Sequence, residues 1–202
     1  MLRKCDIITL YIVGETMRII AGSARGRKLY APAGEDTRPT AERIREALFN
    51  ILGSRVWDAH VLDLFGGTGA MALEAMSRGA ARCVIVDNNR AAIQAIERNA
   101  RAVLGEEDIR WARILRMDYR SAIGGLAGDR FDLVFLDPPY RMLDSYQDAM
   151  RRLCDAGALA EGAVCVLEYA RGSQVAVPEN FEVYDTRGYG ETAVDLARLR
   201  EG

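Results

Sequence analysis

From His60 onward, short apolar runs alternate along the chain with longer segments in which apolar residues recur every three or four positions. The short runs predict strands that are buried on both faces, and the longer segments predict amphipathic helices. The predicted strands are HVLDLF (60–65), CVIVD (83–87), a polar-flanked run near 109–115, FDLVFLD (131–137) and AVCVLEYA (163–170), and the helices lie near 68–79, 89–104, 119–127 and 143–156. This alternation predicts an α/β fold, in which helices cover a mostly parallel sheet.

The two ends of the chain follow a different pattern. Residues 181–199 predict two strands around a glycine-containing turn, so we expect the sheet to finish with an antiparallel hairpin. Near the start, MRIIAG and GRKLYAP predict a small β-hairpin, and Thr40 is expected to cap a helix that ends at Gly53. We divide the chain into an upstream extension (1–16), an N-terminal hairpin and helix (17–57) and a main domain (58–202).

Composition narrows the class of protein. The 202 residues include 27 Lys or Arg and 29 Asp or Glu, so the net charge of -2 gives no overall signal for a nucleic-acid or membrane partner. The four cysteines form no CxxC pair, and His60 is the single histidine, which argues against a metal site and for reduced thiols. No apolar stretch approaches the roughly 20 residues of a membrane span. We therefore expect a cytoplasmic protein without a metal.

The loop VLDLFGGTGAMALEA, residues 61–75, resembles a nucleotide-binding turn, because its glycines allow a tight entry into a helix. Asp87, at the end of the next strand, can accept hydrogen bonds from ribose hydroxyls, which fits either a dinucleotide or another adenosine cofactor. Asp63 would repel a pyrophosphate but suits a cationic amine, so it favours S-adenosylmethionine; alternatively it only binds loop amides. Asp118 can accept from an adenine amino group or cap a helix. The predicted cofactor-binding residues are Asp63, Phe65, Gly66, Gly67, Thr68, Gly69, Asp87, Asn88 and Asp118.

The motif FLDPPY, residues 135–140, places a carboxylate, two prolines and an aromatic ring at the end of a strand. The Asp137 carboxylate and the Pro138 carbonyl can accept the two N–H bonds of an exocyclic amino group, and Tyr140 can stack on its base. Pro139 fixes its own backbone and restricts Pro138, which holds these acceptors in place. Fixed acceptors near a nitrogen that becomes positive favour methyl transfer. The alternative is a proline-stiffened turn without chemistry.

The glycine loop followed by FLDPPY resembles the class I S-adenosylmethionine-dependent methyltransferases, whose fold is Rossmann-like. The stretch MRIIAGSARGRKLYAP together with TRPTAERIREALFNIL is similar to the bacterial RsmD family of RNA (guanine-N2)-methyltransferases, and this resemblance runs from Met17 to about Leu199. It implies a seven-stranded sheet and a monomer that acts on 16S ribosomal RNA in an assembled or nearly assembled small subunit. It also implies that Asp137 to Tyr140 form the target-base pocket. Because the family usually begins near MRIIAG, residues 1–16 put the start codon in doubt.

The basic N-terminal segment is predicted to contact RNA phosphates, since it carries four cations and no acid between Arg18 and Tyr30. Alternatively it is a solvated arm. Arg43 and Arg45 are expected either to join this RNA surface or to lie on the solvated face of their helix. The predicted RNA-binding residues are Arg18, Arg25, Arg27, Lys28, Arg38 and Thr40. The alternative for Arg38 and Thr40 is that they close over the cofactor or the base.

Four other functions stay open. A DNA adenine-N6 or a protein glutamine-N5 methyltransferase could use a motif of the same shape, although no DNA-recognition domain is evident and the basic segment favours RNA. A nucleotide-dependent oxidoreductase is disfavoured by Asp63, and a catalytically silent RNA-binding module is disfavoured by the intact FLDPPY motif.

Overall fold

The computed structural model of the chain describes residues 17–31, 39–139 and 141–200, and leaves out the side chains of residues 39–41. The predicted upstream extension, Arg38 and Tyr140 therefore lie outside the described residues, as does the Thr40 side chain. The helices are α1 (Pro39–Leu52), α2 (Ala70–Ser77), α3 (Arg90–Asp108), α4 (Tyr119–Gly124) and α5 (Asp144–Asp155). The strands are β1 (His60–Asp63), β2 (Arg82–Asp87), β3 (Ala112–Arg116), β4 (Phe131–Leu136), β5 (Leu159–Ala170), β6 (Phe181–Tyr189) and β7 (Thr192–Leu199).

The strands form one seven-stranded sheet in the order β3-β2-β1-β4-β5-β7-β6. The first five strands in this order pair in parallel, whereas β7 pairs antiparallel with both β5 and β6. The predicted α/β fold, with its mostly parallel sheet and antiparallel end, is confirmed. The chain reverses its direction of winding between β1 and β4, and the crevice at such a point is where open α/β sheets bind ligands.

Helices cover both faces of the sheet, because the central strands are apolar on both sides. One face packs against α1, α2 and α3, and its strand residues include Val61, Ile85, Phe135 and Val166. The other face packs against α4 and α5, and its strand residues include Leu62, Val84, Val134 and Cys165. Consecutive residues of each strand thus alternate between two cores. Within the described part of the chain, no helix is long and apolar enough to cross a membrane.

Residues 17–31, here called the arm, fold back on themselves but do not form a regular hairpin. Arg18 and Lys28 make an isolated antiparallel bridge, and the amides of Ile19 and Leu29 donate across it to Arg27 and Met17. The turn between the two segments replaces the rest of the predicted strand pairing. The arm therefore follows the path of a hairpin, but several of its backbone amides donate hydrogen bonds to residues outside the arm.

Buried polar side chains of α2 accept hydrogen bonds from the backbone amides of the arm. Glu74, which is fully buried, accepts hydrogen bonds from the amides of Ile20 at 2.8 Å and Ala21 at 3.0 Å. Gly22 lies so close to α2 that a Cβ on it would sit 1.7 Å from the carbonyl oxygen of Ser77. The arm thus docks on the helix that begins at the glycine loop.

A second set of hydrogen bonds joins the arm to α3. Asn99 accepts from the amide of Tyr30 at 2.7 Å, and its side-chain amide donates to the carbonyl oxygens of Tyr30 at 2.8 Å and Thr68 at 2.9 Å. One buried side chain therefore connects the arm with the glycine loop. The assignment of 17–57 as a separate RNA-facing unit stays a prediction.

The expectation that Thr40 caps α1 is wrong. The helix begins at Pro39, so Thr40 lies in its first turn. Proline suits the first helical position, because its fixed φ is preorganised for a helix and the amide it lacks would have no partner there.

Candidate active site

A cavity of about 630 Å³ opens at the carboxyl ends of β1, β2 and β4, beside the switch point between β1 and β4. Its size is typical of a site for a small molecule or cofactor. Most of the predicted site residues line it: Asp63, Phe65, Gly66, Gly67, Thr68, Asp87, Asn88, Asp118, Asp137, Pro138 and Pro139. Gly69 stands behind them as the residue that precedes α2, with a φ of 77°.

Acidic residues at or near the ends of four adjacent strands share one face of the sheet. Asp87, Asp63, Asp137 and Glu168 each stand two positions after an apolar residue of the core beside α1, α2 and α3. Because side chains two residues apart point to the same side of a strand, all four carboxylates point toward the same three helices. The register Leu136↔Leu167 makes Asp137 and Glu168 neighbours at the point where β4 ends. The site therefore carries a row of acids.

The glycine loop is built to bring its backbone close to β2. A Cβ at Gly66 would lie 2.5 Å from the Ile85 side chain, so the loop could not pass there with a larger residue. The amide of Gly67 donates to Asp87 Oδ2 at 2.9 Å, and the amide of Asn89 donates to Asp87 Oδ1 at 2.7 Å. Asp87 thus fixes the loop, and both of its oxygens retain further acceptor capacity.

Asp63 lies beneath this loop and is only 5% exposed. Burial raises the pKa of its carboxyl to about 7, and the nearby Asp87 carboxylate adds to this effect, while hydrogen bonds from the amides of Phe65 and Ala72 oppose it. Asp63 thus binds a loop amide and an amide of α2, but these bonds do not account for the energetic cost of a buried acid at the cavity wall. A cationic ligand group would favour its ionised form.

Asp118 caps α4 and also lines the cavity, while its contact with an adenine amino group stays a prediction. Its Oδ1 accepts from the amide of Arg120 at 2.9 Å, which leaves its other oxygen available. Beside it, the Tyr119 ring packs on Phe65 at 5.4 Å between centroids, and the Tyr119 hydroxyl donates to Asp148 at 2.7 Å. These contacts hold one aromatic wall of the cavity in place.

Asp137 and Pro138 occupy the end of the cavity near β5. The carbonyl of Pro139 accepts from the amide of Met142 at 2.8 Å and closes a turn, whereas the Pro138 carbonyl accepts no hydrogen bond from any described residue. Asp137 is accessible through the cavity, although protein atoms crowd it from the other sides. This enclosure, and then the neighbouring Glu168 and Asp63 carboxylates, raise its pKa well above the usual value. Two acceptors therefore remain open at one point, as the proposed amine site requires.

Arg45 and Glu168 also line the cavity, although neither was predicted there from its sequence pattern. Arg45 is 3% exposed, and its Nε lies 3.6 Å from Glu74 Oε2. The expectation that Arg45 is solvated or contacts RNA is wrong, because the fully buried Glu74 holds it inside. Glu168 repeats the pattern of an apolar pair followed by an acid seen at the other strand ends, and this pattern could have identified it.

The basic residues of the arm divide into two groups. Arg25, Arg27 and Lys28 are exposed around the turn, and no ion pair with a described residue holds any of them. Arg18 is also exposed, but its Nε lies 3.5 Å from Glu42 Oε2. A phosphate would therefore compete with Glu42 for Arg18, while the other three cations are available.

Among the described residues, no group of three or more histidine, cysteine, aspartate or glutamate side chains could hold a metal ion. The His60 ring packs on Phe131 with 4.2 Å between centroids, and it does not line the cavity. The cavity wall includes the carboxylates of Asp63, Asp87, Asp118, Asp137 and Glu168, which can accept hydrogen bonds.

The chain resembles known proteins over most of its length. The family model described as conserved hypothetical protein 95 matches residues 17–198. The ribosomal RNA small subunit methyltransferase D of Escherichia coli is 34% identical over 181 residues, which cover 89% of this chain and 88% of the relative. Among solved structures, the yhhF protein of Escherichia coli has a TM-score of 0.79 at 34% identity, covering 93% of this chain and 99% of that one. An RNA methyltransferase from Salinibacter ruber in complex with S-adenosyl-L-homocysteine shares the fold, with a TM-score of 0.60 at 15% identity and coverage of 82% and 95%.

Proposed function

Because this chain belongs to the conserved hypothetical protein 95 family, as its resemblance to RsmD methyltransferases led us to expect, we propose that it methylates the exocyclic N2 of a guanine in small-subunit ribosomal RNA. The methyl donor is S-adenosylmethionine. One observation carries the proposal: the open acceptors of Asp137 and Pro138 lie in the same cavity as the glycine loop and Asp63. An amine acceptor and an adenosine cofactor would therefore meet at the switch point of the sheet.

The cofactor would lie along the β1 and β2 side of the cavity. Asp63 faces its cationic amine, Asp87 its ribose hydroxyls and Asp118 its adenine amino group. The row of carboxylates favours a ligand with a cationic sulfonium and ammonium over one with an anionic pyrophosphate. This charge preference supports S-adenosylmethionine over a dinucleotide.

The target base would lie against β4 and β5. The N2 amino group donates one hydrogen bond to the Asp137 carboxylate and one to the Pro138 carbonyl. These two bonds orient the nitrogen toward the methyl group. As the N–C bond forms and the C–S bond breaks, positive charge develops on N2, and Asp137 stabilises it. The nitrogen then releases one proton to water, and the products are N2-methylguanine and S-adenosylhomocysteine. Stacking of Tyr140 on the base stays a prediction.

The exposed cations Arg25, Arg27 and Lys28 are proposed to bind RNA phosphates while the pocket holds a base turned out of its stack. Arg38 and Thr40, predicted for the same surface, lie outside the side chains that are described. We further propose that the protein acts as a monomer in the cytoplasm, on an assembled or nearly assembled small subunit.

Mass-spectrometric mapping of methylated nucleosides in small-subunit RNA tests this function. Cells that lack the protein should lose one N2-methylguanosine, and the intact gene should restore it, whereas a gene encoding Asp137→Ala should not. An unchanged set of N2-methylguanosines would refute the proposal. Loss of N6-methyladenine from DNA, or of a methyl group from a protein glutamine, would assign the chain to one of the alternative amino-group methyltransferases.

A further inference from the structure

Glu168 lies at the cavity wall beside the proposed base site, yet neither the cofactor nor the target amine requires it. It follows Leu167, which pairs with Leu136, so it stands next to Asp137 on the adjacent strand. The Tyr146 hydroxyl donates to the backbone carbonyl of Glu168 at 2.5 Å and fixes this part of β5. Its side chain is half-buried and faces the same helices as the other three acids.

The carboxylate of Glu168 is an open acceptor. Within the described part of the chain, it receives no hydrogen bond, and Arg45 makes no ion pair with it within 4.0 Å. Arg45 lies instead 3.6 Å from Glu74, which also pairs with Arg78 at 2.7 Å, and Arg45 Nη2 donates to the backbone carbonyl of Arg18 at 2.6 Å. The charge of Arg45 therefore acts on Glu168 without a direct contact, and both oxygens of the Glu168 carboxylate stay free of hydrogen bonds from described residues.

The Watson–Crick edge of guanine has a hydrogen-bond donor that could pair with the Glu168 carboxylate. Its N2 amino group and its N1–H are adjacent donors, so two neighbouring carboxylates fit them side by side. Adenine has no proton on N1, and an acid facing that nitrogen would meet an acceptor. A site that leaves a buried polar group without a partner rejects the wrong base.

Building on the proposed function, we propose that the Glu168 carboxylate accepts the N1–H of the target guanine and restricts the reaction to guanine. Asp137 and Pro138 bind the N2 nitrogen that is methylated, and Glu168 binds the protonated N1 of the same base. Burial raises the pKa of Glu168, and the positive charge of Arg45 opposes this shift and favours the ionised acceptor.

The test compares two reconstituted small subunits, whose RNA carries guanine at the mapped target in one and 2-aminopurine in the other. Both bases carry the 2-amino group, but N1 of 2-aminopurine has no proton. The wild-type enzyme should prefer guanine in kcat/KM by about 10- to 100-fold. In Glu168→Gln the side-chain amide can either accept from N1–H or donate to a bare N1, so this preference should shrink about tenfold or more. Glu168→Asp, which keeps the acid, should keep most of it.

Glu161→Gln is the matched control, because Glu161 is an exposed residue of the same strand that does not line the cavity. Equal rates of the wild-type enzyme on both RNAs would overturn the role of Glu168 alone, and would do so even if the Gln variant failed to fold. An unchanged preference in folded Glu168→Gln, checked by thermal melting, would overturn it as well. Absence of methyl transfer to either RNA would overturn the proposed function and this inference with it.

Discussion

Binding of S-adenosylhomocysteine should depend on pH because of Asp63. Burial raises the pKa of this carboxyl to about 7 in the free protein. The cationic amine of the ligand requires the ionised form, so below pH 7 binding must expel a proton. Affinity should therefore rise as pH increases through 7 and become constant above it.

The size of this effect follows from the pKa. The dissociation constant is multiplied by one plus the ratio of protonated to ionised Asp63, which is about elevenfold at pH 6 and about 1.1-fold at pH 8. Affinity should thus fall about tenfold between pH 8 and pH 6, or about 1.4 kcal/mol. Calorimetry in two buffers of different ionisation enthalpy should show release of about 0.9 proton per ligand at pH 6, and about 0.1 at pH 8.

Asp63→Asn is the matched variant, since it keeps the shape of the side chain and removes its titration. This variant should bind S-adenosylhomocysteine more weakly at pH 8, and its affinity should change much less with pH. The comparison distinguishes titration of Asp63 from titration of Asp137, whose pKa is also raised. Neither the wild-type protein nor the variant should bind NAD with an affinity comparable to that for S-adenosylhomocysteine. A wild-type affinity that stays constant from pH 6 to 8, or a variant with the same slope, would refute the assignment.

Two further substitutions test the base site and the arm. Asp137→Ala should retain S-adenosylhomocysteine affinity within about threefold yet lose methyl transfer by about 10²- to 10³-fold, because it removes an acceptor that faces the developing charge. Reversal of charge in the double variant Arg25→Glu and Arg27→Glu should weaken RNA binding and reduce the steepness of its salt dependence by about two, because two phosphate contacts are lost. Filter binding over a range of salt concentrations measures the second effect, and ligand affinity should not change.

Controls for both substitutions come from α5. Asp144→Ala removes an exposed acid in its first turn and should leave methyl transfer unchanged. Reversal at Arg151 and Arg152 makes the same change in net charge on the face of the sheet opposite the arm. Full activity in Asp137→Ala would remove that residue from the reaction, and equal loss of RNA binding in both charge-reversed proteins would mean that net charge, not the arm, attracts RNA.

Local pattern predicted the elements better than their boundaries. The strand expected near 109–115 is β3, which begins only at Ala112. Gly105 has a φ of 72° and breaks the regular helix near the predicted end at 104, and Ile109–Trp111 then form a 3₁₀ turn before the strand starts. Such a turn depends on how the helix packs against β3, and residue periodicity does not record it.

Charged residues inside apolar segments were the least predictable part of the site. Arg45 fits the polar face of an amphipathic helix by spacing, but Glu74, on a different helix, draws it into the protein. Glu168 stands within a strand that continues to Ala170, so its only local signal is the apolar pair that precedes it, and no strand end accompanies that signal. In both cases the decisive neighbour is distant in sequence.

The amino-acid sequence by itself determined the α/β class, the glycine loop and the acids that follow the first, second and fourth strands, because periodicity and turn chemistry are local properties. It also carried the family resemblance. Only the tertiary structure decided that Glu168 joins Asp63, Asp87 and Asp137 on one face, since that depends on the register between strands. The same holds for the docking of the arm, whose backbone amides find their acceptors in Glu74 and Asn99 more than fifty residues away.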